Sequence, residues 1–289
     1  MESFMASAAN SPSSQQPLFY RELQPLNSAV HADWRLKSGD VNFTADTPFV
    51  PIVAKEIASA ARSYPVVFAG DTAQPVVILG LERRNLFLGD DGRWAADAYL
   101  PAYVRRYPFA FIHTPDPDGF VLAIDAGSER VARSGSEGAA LFENGKPSAL
   151  TREALEFCNA VQIDAAATTA FTDALKAQDL LIDRRADATL PDGRKLGLDG
   201  FQIVDADKFA ALPDDVVLDW HRKGWLALVH FHLASLERFS DLLNRQASHQ
   251  AIGQDVTQPS SLDASDENPA SAESSAGIAK TTKTTKAAS

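Results

Sequence analysis

The chain has 289 residues, a 45% hydrophobic share, a formal net charge of −11 and a pI near 5.0. Such a share buries a full core in one large domain or two small ones. The acidic balance argues against a general nucleic-acid or anionic-membrane surface, because both need clustered Lys and Arg. The single cysteine, Cys158, excludes an intrachain disulfide and a multi-cysteine metal site, and fits a reducing compartment.

Residues 1–17 are rich in Ser, Asn, Gln and Pro and are expected to be disordered. They contain no apolar run of the kind a secretory signal needs. No stretch approaches the roughly 20 apolar residues of a membrane helix. The expectation is a cytoplasmic protein, with export by a non-classical route left open.

Residues 18–43 read as a strand or loop pair laid on the core, with Trp34 as a packing anchor. Thr47-Pro48 opens a helix expected over 50–62. Strands are expected at 66–69, 76–81 and 85–88, the last closed by the Gly89-Asp-Asp-Gly92 turn. From Tyr99 a helical pattern ends at Arg105 and Arg106, because Tyr107-Pro108 stops it. Apolar strands at 109–112 and 120–124 flank a Pro/Asp/Gly turn at 115–119.

A polar loop over 127–138 leads to an edge strand at 140–142, closed by Asn144-Gly145. A long helix begins with Thr151 as its N-cap and runs to about residue 177, with a break near Asp164. Strands at 180–189 and 195–198 flank the Asp192-Gly193 turn, a strand at 201–204 follows, and a short helix covers 205–212. A last helix is expected over 215–246, where Trp225, Val229, His232, Leu236, Phe239 and Leu243 form one stripe. The Ser/Ala/Asp/Thr tail over 248–289 cannot bury enough apolar surface to fold alone, so the ordered domain is placed at 18–247.

One pattern occurs twice, read either as a structural repeat or as chance recurrence of Tyr-Pro before an apolar strand. ARSYPVVF (61–68) and VRRYPFAF (104–111) align at an offset of 43 residues, each between a helical pattern and a strand–turn–strand pattern. Two such units fit one continuous antiparallel sheet with helices on a face. The fold class expected is therefore α+β, mainly antiparallel sheet with flanking helices and a long C-terminal helix.

Motifs for chemistry are sparse. His221, His230 and His232 do not present three ligands on one helix face, and no acidic residue completes a metal motif. There is no GxGxxG, Walker or GxSxG sequence. Cys158 reads as a small core residue. The expectation leans away from an enzyme, with no catalytic residue, cofactor or metal assigned. The one candidate ligand site gathers Trp94, Tyr99, Arg105, Arg106 and Tyr107. In it Arg105 and Arg106 converge with Arg93 on a carboxylate or phosphate, with Tyr107 or Trp94 as a stacking face. The competing reading is that the arginines offset helix dipoles.

RSYPVVF (62–68), VVILGLERRNLFLGDDGRW (76–94), YLPAYVRRYPFAF (99–111), ALFENGKPS (140–148) and DGRKLGLDGFQIVDADKFAALPDD (192–215) resemble the SapC family. The resemblance covers about 18–247 and brings no catalytic residues to transfer. It implies a non-catalytic accessory or interaction protein, linked to bacterial surface-layer or cell-envelope function through unidentified protein partners. It also implies a place beside flavin-dependent halogenase-like and cupin-like proteins and outer-membrane receptors. The alternative is an enzyme or anionic small-molecule binder that uses the Arg/aromatic site with such a partner. Some relatives carry a peptide-transporter permease label, which this sequence does not fit, because nothing in it is long and apolar enough to span a bilayer.

Overall fold

The computed structural model describes residues 17–70, 72–114, 119–189, 193 and 195–255. Two short strands come first, β1 (Leu23–Pro25) and β2 (Arg35–Leu36). The helix expected from residue 50 gives way to β3 (Phe49–Pro51). Val50 pairs with Val77, and Pro51 is tolerated because β3 is an outermost strand, where a missing N–H breaks no ladder. Helical backbone starts at a 3-10 turn, Ala54–Glu56, and continues as α1 (Ile57–Ala60).

The first hairpin follows, β4 (Val66–Ala69) with β5 (Gln74–Ile78). Residues 85–88, expected as a strand, form a loop instead. The Asn85 side chain competes for the backbone there, accepting the Phe87 N–H at 2.9 Å and donating to Thr44 Oγ1 at 3.0 Å. Only an isolated bridge, Leu88 to Trp94, spans the turn that follows. Then come α2 (Ala102–Arg105) and the second hairpin, β6 (Phe109–His113) with β7 (Phe120–Asp125). Residues 115–118 of the turn expected between them lie outside the described residues.

The next loop carries β8 (Val131–Ala132) and β9 (Ala139–Ala140) on either side of β2. A tight hairpin, β10 (Phe142–Glu143) with β11 (Lys146–Pro147), turns at Asn144-Gly145. Both turn residues have positive φ, 52° and 74°, as a two-residue hairpin of this hand needs. The long helix α3 (Ala149–Ala177) is capped by Ser148, three residues before the expected Thr151. Ser148 Oγ accepts the Thr151 N–H at 3.3 Å, while the Thr151 hydroxyl donates to the Leu141 carbonyl at 2.7 Å. The helix passes Asp164 without a break.

β12 (Leu181–Thr189) and β13 (Lys195–Val204) form the longest hairpin. β13 is one strand where two were expected, because Gly200 at φ +77° absorbs the register shift as a bulge. Asp192 of the expected turn lies outside the described residues. Asp205 caps α4 (Ala206–Ala210). The stretch expected as one helix over 215–246 is helical but divided into α5 (Asp214–Lys223), α6 (Trp225–Ser235) and α7 (Arg238–Asp255). Gly224 at φ +74° ends α5. Before the second break, the Ser235 hydroxyl donates back to the His232 carbonyl at 2.6 Å, which bends helices. The long C-terminal helix continues to Asp255, beyond residue 247 where the ordered domain was expected to end. The rest of the two tails, 1–16 and 256–289, lies outside the described residues.

Every strand pair among the described residues is antiparallel, and the α+β class stands. The single continuous sheet does not. The first hairpin lies in a five-stranded sheet of order β12-β13-β4-β5-β3, and the second in a three-stranded sheet of order β1-β7-β6. Partner choice explains the division. β4 and β5 take β13 and β3 as neighbours, while β7 pairs with β1, Leu23 opposite Asp125.

Two cores result. Val66, Phe68, Val77 and Leu79 pack with Phe171 and Leu175 of α3 and with Trp220, Val229 and Leu242 of the C-terminal helices. Trp34, Phe109, Leu122, Ile124 and Leu141 pack around Cys158 of α3. At 1.5 Å per residue α3 is about 43 Å long, enough to serve both cores along one axis.

Candidate functional site

Two carboxylates, Glu56 and Asp125, sit in these apolar surroundings at 6% and 0% exposure. A buried carboxylate must be met by donors. Glu56 Oε1 accepts the Tyr99 O–H at 2.8 Å and the Ala102 N–H at 2.7 Å. Its Oε2 accepts the Val53 N–H at 2.9 Å. One side chain therefore satisfies free N–H groups at the start of the 3-10 turn before α1 and at the start of α2.

Trp94 and Tyr99 belong to this network. Trp94 Nε1 donates to the Tyr64 hydroxyl at 2.8 Å, and Tyr64 donates to the Tyr99 carbonyl. Burial first, and then the Glu56 charge, pushes the Tyr99 phenol up to about 12. Arg105 Nη2 donates to the Tyr99 hydroxyl at 3.3 Å, and its exposed guanidinium lies 5.1 Å from the Phe157 ring of α3.

Arg106 and Tyr107 face other surroundings. The Arg106 guanidinium stacks 4.2 Å over Tyr103 and lines a groove of about 150 Å³ with Glu56, Gln74 and Val161. Tyr107 donates to Asp125 Oδ2 at 3.0 Å, and its ring stacks on Phe43 at 4.1 Å. Asp125 Oδ1 also accepts the Glu22 N–H at 2.7 Å and the Gly127 N–H at 3.2 Å, tying β7 to the start of β1. Burial raises the Tyr107 phenol pKa. Beside Tyr107 lies a cavity of about 180 Å³, lined by Arg21, Asp40, Ser128 and Arg130. Arg130 Nη1 donates to the Tyr107 carbonyl at 3.1 Å, and burial lowers its pKa.

The five candidate residues thus divide. Tyr99 binds Glu56, with Arg105 and, through Tyr64, Trp94 attached to Tyr99; Arg106 shares a groove with Glu56, and Tyr107 lies apart on Asp125 beside a different cavity. Arg93 joins neither group; it is exposed, 3.9 Å from Asp91. The sequence reading missed Glu56, Asp125, Tyr64 and Tyr103. A signal existed for one of the two acids: Asp125 is a lone carboxylate closing the apolar run 120–125, whereas Glu56 follows Lys55 in IVAKEI (52–57) and looks like half of a solvated charge pair.

The SapC family model matches residues 26–242. The chain belongs to the SapC family. No curated protein and no solved structure matches it. The SapC match takes in both carboxylates and both hairpins but begins after Glu22 and β1, which Asp125 holds, and it stops inside α7. No helix among the described residues is long and apolar enough to cross a membrane.

Three further groups of the SapC region were open to a chemical role. His232 is fully buried and bridges two strands where they part. The Val204 N–H donates to its Nε2 at 3.0 Å, so its proton is on Nδ1 and donates to the Val66 carbonyl at 2.8 Å. Burial lowers the imidazole pKa to about 4. His230 meets the edge of Phe209 at 5.2 Å, and His221 is exposed. Among the described residues no group of three His, Cys, Asp or Glu side chains is placed to hold a metal ion. Burial pushes the Cys158 thiol up to about 11, which suits a core residue better than a nucleophile.

Proposed function

We propose that this SapC-family chain is a non-catalytic accessory protein that binds a protein partner in surface-layer or cell-envelope function, working from the cytoplasm. One observation carries the reading. The polar atoms of Trp94, Tyr99 and Tyr107, the groups best suited to a ligand pocket, are spent on Tyr64, Glu56 and Asp125 inside the fold. Exposed apolar side chains on the helices give a partner something to cover, with Ile163 62% and Leu218 50% exposed. Pull-down from the native host followed by mass spectrometry tests this. A stoichiometric protein partner, lost on Ile163→Glu or Leu218→Glu, is the expected result. A co-purifying small molecule with no protein partner overturns it.

A second reading is an anionic-ligand binder or enzyme working beside a flavin-dependent halogenase-like or cupin-like protein. Arg105 favours it, because its guanidinium is exposed between the Tyr99 and Phe157 rings.

A further inference from the structure

We propose that the cleft between the end of α1 and helix α7 binds a phosphate- or sulfate-bearing small molecule through Arg62, Arg238 and Arg245. The inference does not depend on the accessory reading. The cleft has a volume of about 340 Å³, and Ser63, Asp97 and Asp241 complete its charged and hydroxyl lining. Three guanidiniums face two carboxylates there, a net charge of +1 in a chain whose total is −11.

The two aspartates orient two of the arginines and leave the third unmatched. Arg245 Nη2 meets Asp97 Oδ2 at 3.1 Å, and its guanidinium carbon lies over the Phe87 ring, 4.5 Å from the centroid. Arg238 Nη1 meets Asp241 Oδ2 at 2.6 Å. Each pair occupies one donor of a five-donor fork, so most of both forks stays free for a ligand. Arg62 is exposed, and its guanidinium makes no hydrogen bond or ion pair with another described residue. Ser63 Oγ accepts the Tyr99 N–H at 3.2 Å, which leaves its own proton to donate into the cleft.

A site rich in guanidinium donors, with one uncompensated positive charge, suits a multi-oxygen anion better than a neutral ligand or a cation. The volume stands at the lower end of small-molecule sites, roughly 300–1,000 Å³. That is room for an oxyanion with a small organic body.

The test uses the full chain. Inorganic phosphate and sulfate are titrated at constant ionic strength against chloride, and binding is read by calorimetry and by the melting temperature. Saturable binding of both oxyanions, with a rise in melting temperature that chloride does not give, is expected. Arg62→Gln and Arg238→Gln should each weaken binding at least tenfold, with far-UV circular dichroism and ligand-free melting temperature close to wild type. Arg184→Gln, at an exposed arginine on β12, should bind as wild type. Phosphate and sulfate acting no differently from chloride, or the two cleft variants binding as wild type, would overturn the proposal.

Discussion

His232 offers the sharpest test of how the large sheet is held together. It carries two backbone groups that the strands do not bond to each other, the Val66 carbonyl and the Val204 N–H, both on buried residues. His232→Leu keeps the apolar bulk and removes both partners. An unsatisfied buried group costs about 1–3 kcal/mol, so the variant should lose about 2–6 kcal/mol at pH 7. Acid adds a second, independent signature. The folded pKa is about 4, below the unfolded value of 6.5. The unfolded chain therefore binds the extra proton first as pH falls, and acid favours unfolding. This contribution to stability is complete above pH 6.5 and is lost as pH falls through 4, amounting to about 3 kcal/mol by pH 4. The leucine variant cannot lose it. Urea unfolding, followed by tryptophan fluorescence at pH 7 and pH 4, should show the gap between wild type and variant narrowing by about 3 kcal/mol. A gap that stays constant across that range, or a deficit under ~1 kcal/mol at pH 7, would refute the bridging role.

Glu56→Ala should cost about 3 kcal/mol or more in urea unfolding, because three donors lose their acceptor. Tyr99→Phe, which removes one of the three, should cost about 1 kcal/mol, and equal losses from the two variants would contradict the shared network. Gly224→Ala places a Cβ at φ +74° with no heavy atom within 4 Å of it, so the backbone cost alone applies. A loss of about 1–2 kcal/mol is expected, and a neutral result would mean that the α5–α6 junction can change its conformation. Cys158, with its thiol pushed up to about 11 and its side chain buried, should react with a thiol reagent at pH 8 only after unfolding in urea. Fast stoichiometric labelling of the native chain would sink that placement.

Local patterns in this chain were legible where the physics is local. The β-branched runs at 66–69 and 76–78 form strands, and Asn144-Gly145 makes a hairpin turn, whereas the positive φ of Gly200 and Gly224, which joins two expected strands and divides one expected helix, was not read. What failed depends on distant partners. Phe49–Pro51 is a strand because β5 is there to pair with it, and a proline after β-branched Val50 looks the same in a helix start. Ser148 wins over Thr151 as N-cap because the Thr151 hydroxyl is drawn to the Leu141 carbonyl, ten residues back. The candidate site followed the same rule. Trp94, Tyr99 and Tyr107 are in polar networks, but their partners Tyr64, Glu56 and Asp125 lie 30, 43 and 18 residues away.

The repeat itself shows how one motif can feed two sheets. Both copies keep the order of short helix, Tyr-Pro and antiparallel hairpin, and both tyrosines are buried donors. Their hairpins diverge, yet the copies touch at equivalent positions, since Glu56 and Tyr99 are separated by the 43-residue offset of the repeat and share a hydrogen bond. The junction therefore lies at the helical starts rather than in a common sheet. A carboxylate that accepts from both starts fixes their relative placement, and α3 covers the two cores that the diverging hairpins build. Arg62 and Arg105, equivalent in sequence, are separated by this divergence. Arg62 goes to the cleft with Arg238 and Arg245, and Arg105 goes to the ring of Phe157. The two helix ends are similar in sequence, and different neighbours give each its own chemical surroundings.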